Sequence, residues 1–174
     1  MHDNEAPMDV YILRHGKAGL HTPGDDDSSR SLTDKGRIEI EEIAQWLKYR
    51  EISFDSIATS PLERARETGA IIAAGLGQEL TCETWPSLST GGDPEAICRD
   101  IRDHSGMFSL LLVGHEPTLS SLIGLMISGN SNAGIMMAKG GLARIRNVRE
   151  EADIVRGDLQ WLLTPKLIAG MRRS

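Results

Sequence analysis

The sequence predicts a three-layer α/β/α sandwich around a largely parallel central sheet, and three observations predict it. Apolar runs of strand length alternate with segments of helical periodicity along most of the chain. Two of these runs, in VYILRHG and FSLLLVGH, share a pattern in which an apolar strand leads into a glycine and a histidine. The chain has 174 residues, which suits a single domain, 1–174, able to bury a core without cross-links. Residues 1–7 read as a flexible N-terminal extension.

Met8 to Leu13 is the first predicted strand. The polar cluster HTPGDDDSSRS, His21 to Ser31, reads as a loop, with Pro23 and Gly24 as its turn residues. Thr33 to Tyr49 follows as a helix, because Ile38, Ile43, Ala44, Trp46 and Leu47 recur near helical spacing with polar residues between them. Thr33 or Asp34 supplies its N-cap, a side-chain oxygen for the free amides of the first turn. FDSIATS, residues 54–60, is the second strand, and Pro61 then opens a helix to about Ala74. Proline loses nothing at a first helical position, since its missing donor has no intrahelical partner there.

Leu80 to Thr84 is a short third strand, and Asp93 caps a helix reaching His104 with Pro94 at its first position. FSLLLVGHEP supplies the fourth strand and a helix starting near Pro117. Gly141 to Val148 and Leu159 to Leu163 end the pattern as two strands joined by a turn. In sheets of this kind ligands collect beyond the carboxyl ends of the parallel strands. Arg14, His15 and His115 all fall at that edge.

Composition narrows the functional classes. The chain is 40% hydrophobic and 25% charged, with a formal net charge of −6. That balance argues against nucleic-acid or membrane-surface binding, which needs a basic face, and makes a local basic cluster informative. Cys82 and Cys98 are too few for a disulfide framework and lack metal-ligand spacing, so both read as packing residues. No apolar run approaches a membrane span and Met1 to Pro7 holds no signal-peptide core, so the expected setting is reducing and cytoplasmic. His15, His115 and the run Asp25-Asp26-Asp27 show no metal spacing either. The expectation is no metal and no cofactor, with the aspartates in a solvated loop.

The chemistry is concentrated in three short segments. Arg14, His15 and Lys17 crowd three potential cations at the end of the first strand, which repel one another unless an anion lies between them. Arginine offers a planar fork of donors matched to phosphate or carboxylate. A neutral imidazole can attack phosphorus and so divide one difficult transfer into two easier ones. In TSPLERARET, Ser60 ends a strand and Arg64 and Arg66 lie in the first turns of a helix, whose free amides and dipole favour anions. Arg66 reads as part of a solvated face with Glu63 and Glu67.

Taken together, Arg14-His15-Gly16, then Ser60-Pro61-x-x-Arg64-Ala65-x-x-Thr68, then Gly114-His115-Glu116-Pro117 resemble the histidine phosphatase superfamily, the phosphoglycerate-mutase-like group. The short chain, RSLTDKGR (30–37) and STGGD before a helix resemble its small SixA-type phosphohistidine phosphatases, over roughly Met8 to Leu163. The resemblance implies a phosphoglycerate-mutase-like sandwich and a catalytic set of His15, Arg14, Arg64 and His115. His15 would be the transiently phosphorylated nucleophile. Arg14 and Arg64 would bind the phosphoryl oxygens, His115 would complete the pocket, and Lys17 would attract the anionic substrate from the rim. The reaction implied is hydrolysis of phosphohistidine in a protein, with inorganic phosphate as product; a small phosphorylated metabolite or a non-hydrolysing phosphate-binding module are the alternatives.

Many members of the group carry a carboxylate that protonates the leaving oxygen, in the segment matching TWPSLSTGGD. Here that slot falls on Ser87, with no glutamate between Glu83 and Glu95. Asp93 suits a helix cap, and Glu116 beside His115 suits either a proton donor or a solvent-facing residue. A phosphohistidine needs little help, because its leaving imidazole has a conjugate-acid pKa of about 6.5. Arg30 could close the pocket from the loop, and His2, His21 and His104 have no motif context.

Overall fold

Six strands form one sheet in the order β3-β2-β4-β1-β5-β6, in a computed structural model that describes residues 7–21, 23–24, 26–77 and 82–171. The strands are β1 Met8–Arg14, β2 Ser56–Thr59, β3 Cys82–Thr84, β4 Ser109–Gly114, β5 Leu142–Glu151 and β6 Ile154–Leu163. The helices are α1 Asp34–Tyr49, α2 Glu63–Leu76, α3 Pro94–Asp103, α4 Thr118–Ser128 and α5 Pro165–Met171. β1 to β4 pair in parallel, whereas β5 runs antiparallel to both β1 and β6, so the sheet is largely parallel as expected.

Period-two alternation divides the core. Val10, Ile12, Leu110 and Leu112 face α3 and α4, packing with Ile97, Ile101, Leu122 and Ile123. Tyr11, Leu13, Leu111 and Val113 face the other way, toward Ile40, Ile43 and Leu47 of α1, Ile72 of α2 and Ile168 of α5. A strand with both faces covered must be apolar throughout, which is why these two runs lack polar alternation.

The caps are those anticipated at α1 and α3. Thr33 Oγ1 accepts from the Gly36 amide at 3.0 Å, and the Asp93 side chain accepts from the Glu95 amide at 3.0 Å. α2, however, begins at Glu63 and not at Pro61: Ser60 Oγ accepts from the Leu62 amide at 3.2 Å, and this local turn delays the helix. The last two strands are longer than their apolar residues suggest, meeting at Ala152-Asp153, both at positive φ. The added residues are 149–151, all exposed, and 154–158, where Val155 is the one buried apolar side chain, too little for a periodic signal. The short α5 escaped a periodicity reading because one residue, Ile168, is its buried contribution. Leu80 and Thr81 of the predicted third strand, and residues 1–6 of the predicted extension, lie outside the described residues.

The chain leaving β1 is clamped against the start of α1. The Thr33 amide donates to the Lys17 carbonyl at 2.9 Å, and a Cβ at Gly36 would stand 2.2 Å from that same oxygen. A Cβ at Gly16 would meet Ile40 Cγ1 at 2.9 Å. Glycine is required here for close approach of backbone to backbone, although it weakens the helix itself. Gly36→Ala should therefore destabilise the fold by about 1–3 kcal/mol despite its better helix propensity. Urea unfolding would measure this, with unchanged or raised stability as the contrary result.

Candidate active site

Strand register brings the three motif segments together. Arg14 pairs with Gly114 across the parallel β1–β4 ladder, and the His15 amide donates to the Gly114 carbonyl at 3.1 Å. His15 and His115 each lie one residue beyond that pair, so their rings are neighbours, with centroids 4.9 Å apart. The Ser60 amide donates to Val113 O at 2.9 Å, adding the end of β2. On the other side the Gly140 amide donates to the carbonyls of Arg14 and His15, both at 3.1 Å.

Two hydroxyls tie these segments together. Thr68 Oγ1 donates to Arg64 O at 2.7 Å and accepts from the Gly16 amide at 3.1 Å, joining α2 to the turn after His15. Ser60 Oγ accepts from Leu62 and lies 2.8 Å from His115 Nε2, joining β2 to β4. His15 Nδ1–H donates to Gly16 O at 2.7 Å, since a carbonyl can only accept, and Nε2 is left with the lone pair. His115 Nε2 either donates to the Ser60 hydroxyl or accepts from it, and when Ser60 donates the neutral ring carries its proton on Nδ1.

Arg64 is 3% exposed, donating from one terminal nitrogen to Asp27 O at 2.8 Å and from the other to Asp27 Oδ2 at 3.0 Å. Arg14 donates to Met137 O at 2.8 Å. Three buried nitrogens of this constellation, Arg14 Nε, Arg64 Nε and His115 Nδ1, have no hydrogen-bond partner among the described residues. An unpaired buried donor costs about 1–3 kcal/mol, so several on one set of side chains require a reason. A tetrahedral oxyanion, rich in acceptors, fits such a set.

Both imidazoles are held neutral. Burial lowers the His15 pKa to about 4, and the charges of Arg64, Arg14 and Lys139 add to it against the opposing Gly16 hydrogen bond. Burial likewise takes His115 to about 3, helped by His15, Arg64 and Arg14, while Asp27 opposes. Desolvation, more than repulsion by the neighbouring cations, is what lowers the His15 pKa.

Of the five anticipated site residues, His15, Arg14, Arg64 and His115 come together and Lys17 does not join them. Lys17 Nζ lies 2.6 Å from Glu39 Oε1 on α1, and the lysine whose charge bears on His15 is Lys139. Nothing marked Lys139 in the sequence beyond its place before Gly140-Gly141. Asp27, read as part of a solvated run, instead binds Arg64, and Asp25 lies outside the described residues. Arg30 reaches the same carboxylate, 2.8 Å from Asp27 Oδ1. The proton-donor candidates are engaged elsewhere: Asp93 caps α3, Glu116 accepts from the amide and hydroxyl of Ser120, and Ser87 hydrogen-bonds Asp100. Arg66 pairs with Glu63 at 3.5 Å on an exposed face, as expected.

The family model of the histidine phosphatase superfamily (branch 1) matches residues 10–90. An uncharacterized protein of Picosynechococcus is 31% identical over 166 residues, covering 90% of this chain and 99% of the relative. The phosphohistidine phosphatase SixA of Escherichia coli is 29% identical over 126 residues, 71% of this chain and 77% of SixA. A solved structure of the protein histidine phosphatase SixA complexed with tungstate superposes with a TM-score of 0.82 at 26% identity, covering 92% of this chain and 99% of that one.

The lowered imidazole pKa values make stability pH-dependent. Below about pH 6.5 the unfolded chain binds protons at these positions that the folded chain refuses, so stability falls as pH falls toward 4. His104 acts oppositely: despite burial, the Asp100 carbonyl and the Glu83 carboxylate raise its pKa, so its contribution is present in acid and lost as pH rises. Two groups against one predict a net loss between about pH 6.5 and 4.5, and His115→Gln should flatten it. Urea midpoints across that range test this; a slope unchanged by the substitution would contradict the assignment.

Proposed function

The chain belongs to the histidine phosphatase superfamily, and from that membership we propose that it hydrolyses phosphohistidine in a protein of the phosphotransfer type, by way of a phosphoryl group carried on His15 and without a metal. The observation that carries this reading is that Arg14, Arg64 and His115, each with a buried unpartnered nitrogen, neighbour an imidazole whose Nε2 keeps its lone pair.

His15 Nε2 attacks phosphorus as the bond to the substrate's imidazole nitrogen breaks. The bonding pair leaves with that imidazole, which departs neutral when its other nitrogen is protonated. The Gly16 carbonyl holds the Nδ1 proton of His15 and stabilises the positive charge that develops on the ring. Arg14 and Arg64 compensate charge on the equatorial oxygens, and His115 Nδ1–H donates to one of them. Water then attacks the phosphorus of phospho-His15, the P–Nε2 bond breaks, and inorganic phosphate leaves with the ring restored. Lys139 serves as the rim cation in place of Lys17.

Two facts favour a P–N over a P–O substrate. The relatives that match by sequence and by fold include phosphohistidine phosphatases. Asp93 and Glu116, the two acids weighed as proton donors, are already committed as helix-end acceptors. An alkoxide leaves poorly without a proton, whereas an imidazole does not need one from the enzyme.

A phosphorylated histidine-containing phosphotransfer domain and phosphoramidate should both release phosphate, with kcat/KM well above that for p-nitrophenyl phosphate or a sugar phosphate. His15→Ala should remove the activity by about a thousandfold or more. A preference for esters would favour a metabolite phosphatase, and a phosphoenzyme that forms but does not hydrolyse would favour a binding module.

The acid limb of kcat/KM should lie near pH 4, because the free enzyme must hold His15 neutral. A limb at about pH 6.5, the ordinary histidine value, would show that His15 is not desolvated as described.

A further inference from the structure

The three guanidinium groups nearest the pocket are not equally free. Asp27 engages both terminal nitrogens of Arg64, one through its backbone carbonyl and the other through Oδ2, while Nε is buried without a partner among the described residues. Its other carboxylate oxygen takes Arg30, which is anchored in turn to the Gly19 carbonyl at 3.1 Å. The segment is fixed independently of the pocket: the Gly19 amide donates to Ser31 O at 3.0 Å, and the Leu32 amide donates to Glu67 Oε2 on α2 at 2.7 Å. Asp27 is therefore held from behind by structure that contains no phosphoryl contact.

We propose that Asp27 is a positioning residue for the phosphoryl clamp: it fixes the Arg64 guanidinium so that its uncommitted donors serve the anion, and Arg30 holds Asp27 in that role. A carboxylate occupying the anion's own place would instead compete with it and use the edge the anion needs. The first arrangement is favoured because Asp27 takes one hydrogen from each terminal nitrogen and none from Nε, so three of the five Arg64 donors stay uncommitted among the described residues. Burial works against the charge of Asp27, but the Arg64 hydrogen bond and the charges of Arg64 and Arg30 outweigh it and hold the carboxyl below its usual range. Asp27 thus remains an anion at neutral pH, suited to orienting a guanidinium and unsuited to donating a proton.

The inference rests on the phosphatase reading for its turnover arm alone, because anion binding can be measured without turnover. Calorimetric titration with inorganic phosphate and with tungstate should give about tenfold weaker binding for Asp27→Ala. Asp27→Asn, which keeps an oxygen for Arg64, should recover much of the loss, and Arg30→Gln should show a smaller loss of the same kind. In an Arg64→Ala background Asp27→Ala should have no further effect, a coupling that a merely structural residue would not produce. Phosphoramidate turnover should fall in parallel. Tighter phosphate binding by Asp27→Ala would show Asp27 to be a competitor, and an equal loss with and without Arg64 would show it to be structural; either overturns the proposal. Should Asp27→Ala fail to fold, the Asn and Gln variants decide the matter. Absence of turnover with intact phosphate binding would remove the proposed function and leave the Asp27 assignment standing.

Discussion

Burying the guanidinium of Arg64 is the constraint on which the site depends. An isolated buried cation is prohibitively costly, and arginine cannot escape by losing its proton. The fold answers with Asp27, whose carboxylate and carbonyl meet the two terminal nitrogens, and it answers for Arg14 with the Met137 carbonyl. Neither answer covers the Nε atoms. The two guanidinium groups are thus satisfied only in part by the protein, and uncommitted donors beside two neutral imidazoles are what an anion receptor needs.

That arrangement demands backbone placement which side-chain chemistry alone could not supply. Parallel register between β1 and β4 sets Arg14 against Gly114, so the residues after each, both histidines, become neighbours without any loop having to carry them. Gly36 lets α1 press on the carbonyl of Lys17, and Thr68 stitches the next turn to α2. Each contact is short range, yet together they hold groups from four separate segments in one place. Preorganisation of this kind is what phosphoryl transfer asks of a protein, since positioning and charge compensation supply most of its catalysis.

Much of this was legible in the sequence, and the reasons differ by residue. The fold class followed from uninterrupted apolar strands, because covering a sheet on both faces leaves no room for polar alternation. His15, Arg14, Arg64 and His115 were legible because their neighbours repeat a family pattern that any one segment would carry only weakly. Asp27 was not legible: an aspartate in a run of three is indistinguishable by composition from a solvated loop, and its partner lies 37 residues away. Lys139 escaped notice for a related reason. Proximity in sequence to His15 suggested Lys17, but the first turn of chain after the strand points that side chain to Glu39, while the loop before β5 returns Lys139 to the histidine. The outer ends of β5 and β6 stayed hidden because Val155 is their one buried apolar side chain, which leaves no periodic hydrophobic signature.

The depressed basicity of His15 shapes both halves of the proposed cycle. A less basic imidazole is a weaker nucleophile, which slows formation of the phosphoenzyme, but it is also a better leaving group, which speeds hydrolysis. Transfer from a substrate imidazole of ordinary basicity onto His15 is uphill on basicity alone, so the phosphoenzyme must draw its stability from the donors around it. Those donors are the orphaned atoms of Arg14, Arg64 and His115. Their unpaired state in the free protein then becomes functional: the cost they impose before binding is relieved by the phosphoryl group and returns when phosphate leaves. The same burial that lowers the His15 pKa also excludes the water that would weaken those contacts. Desolvation and clamp strength are therefore one property of the pocket, and a substitution that wets it should raise the His15 pKa and loosen the phosphoryl group together.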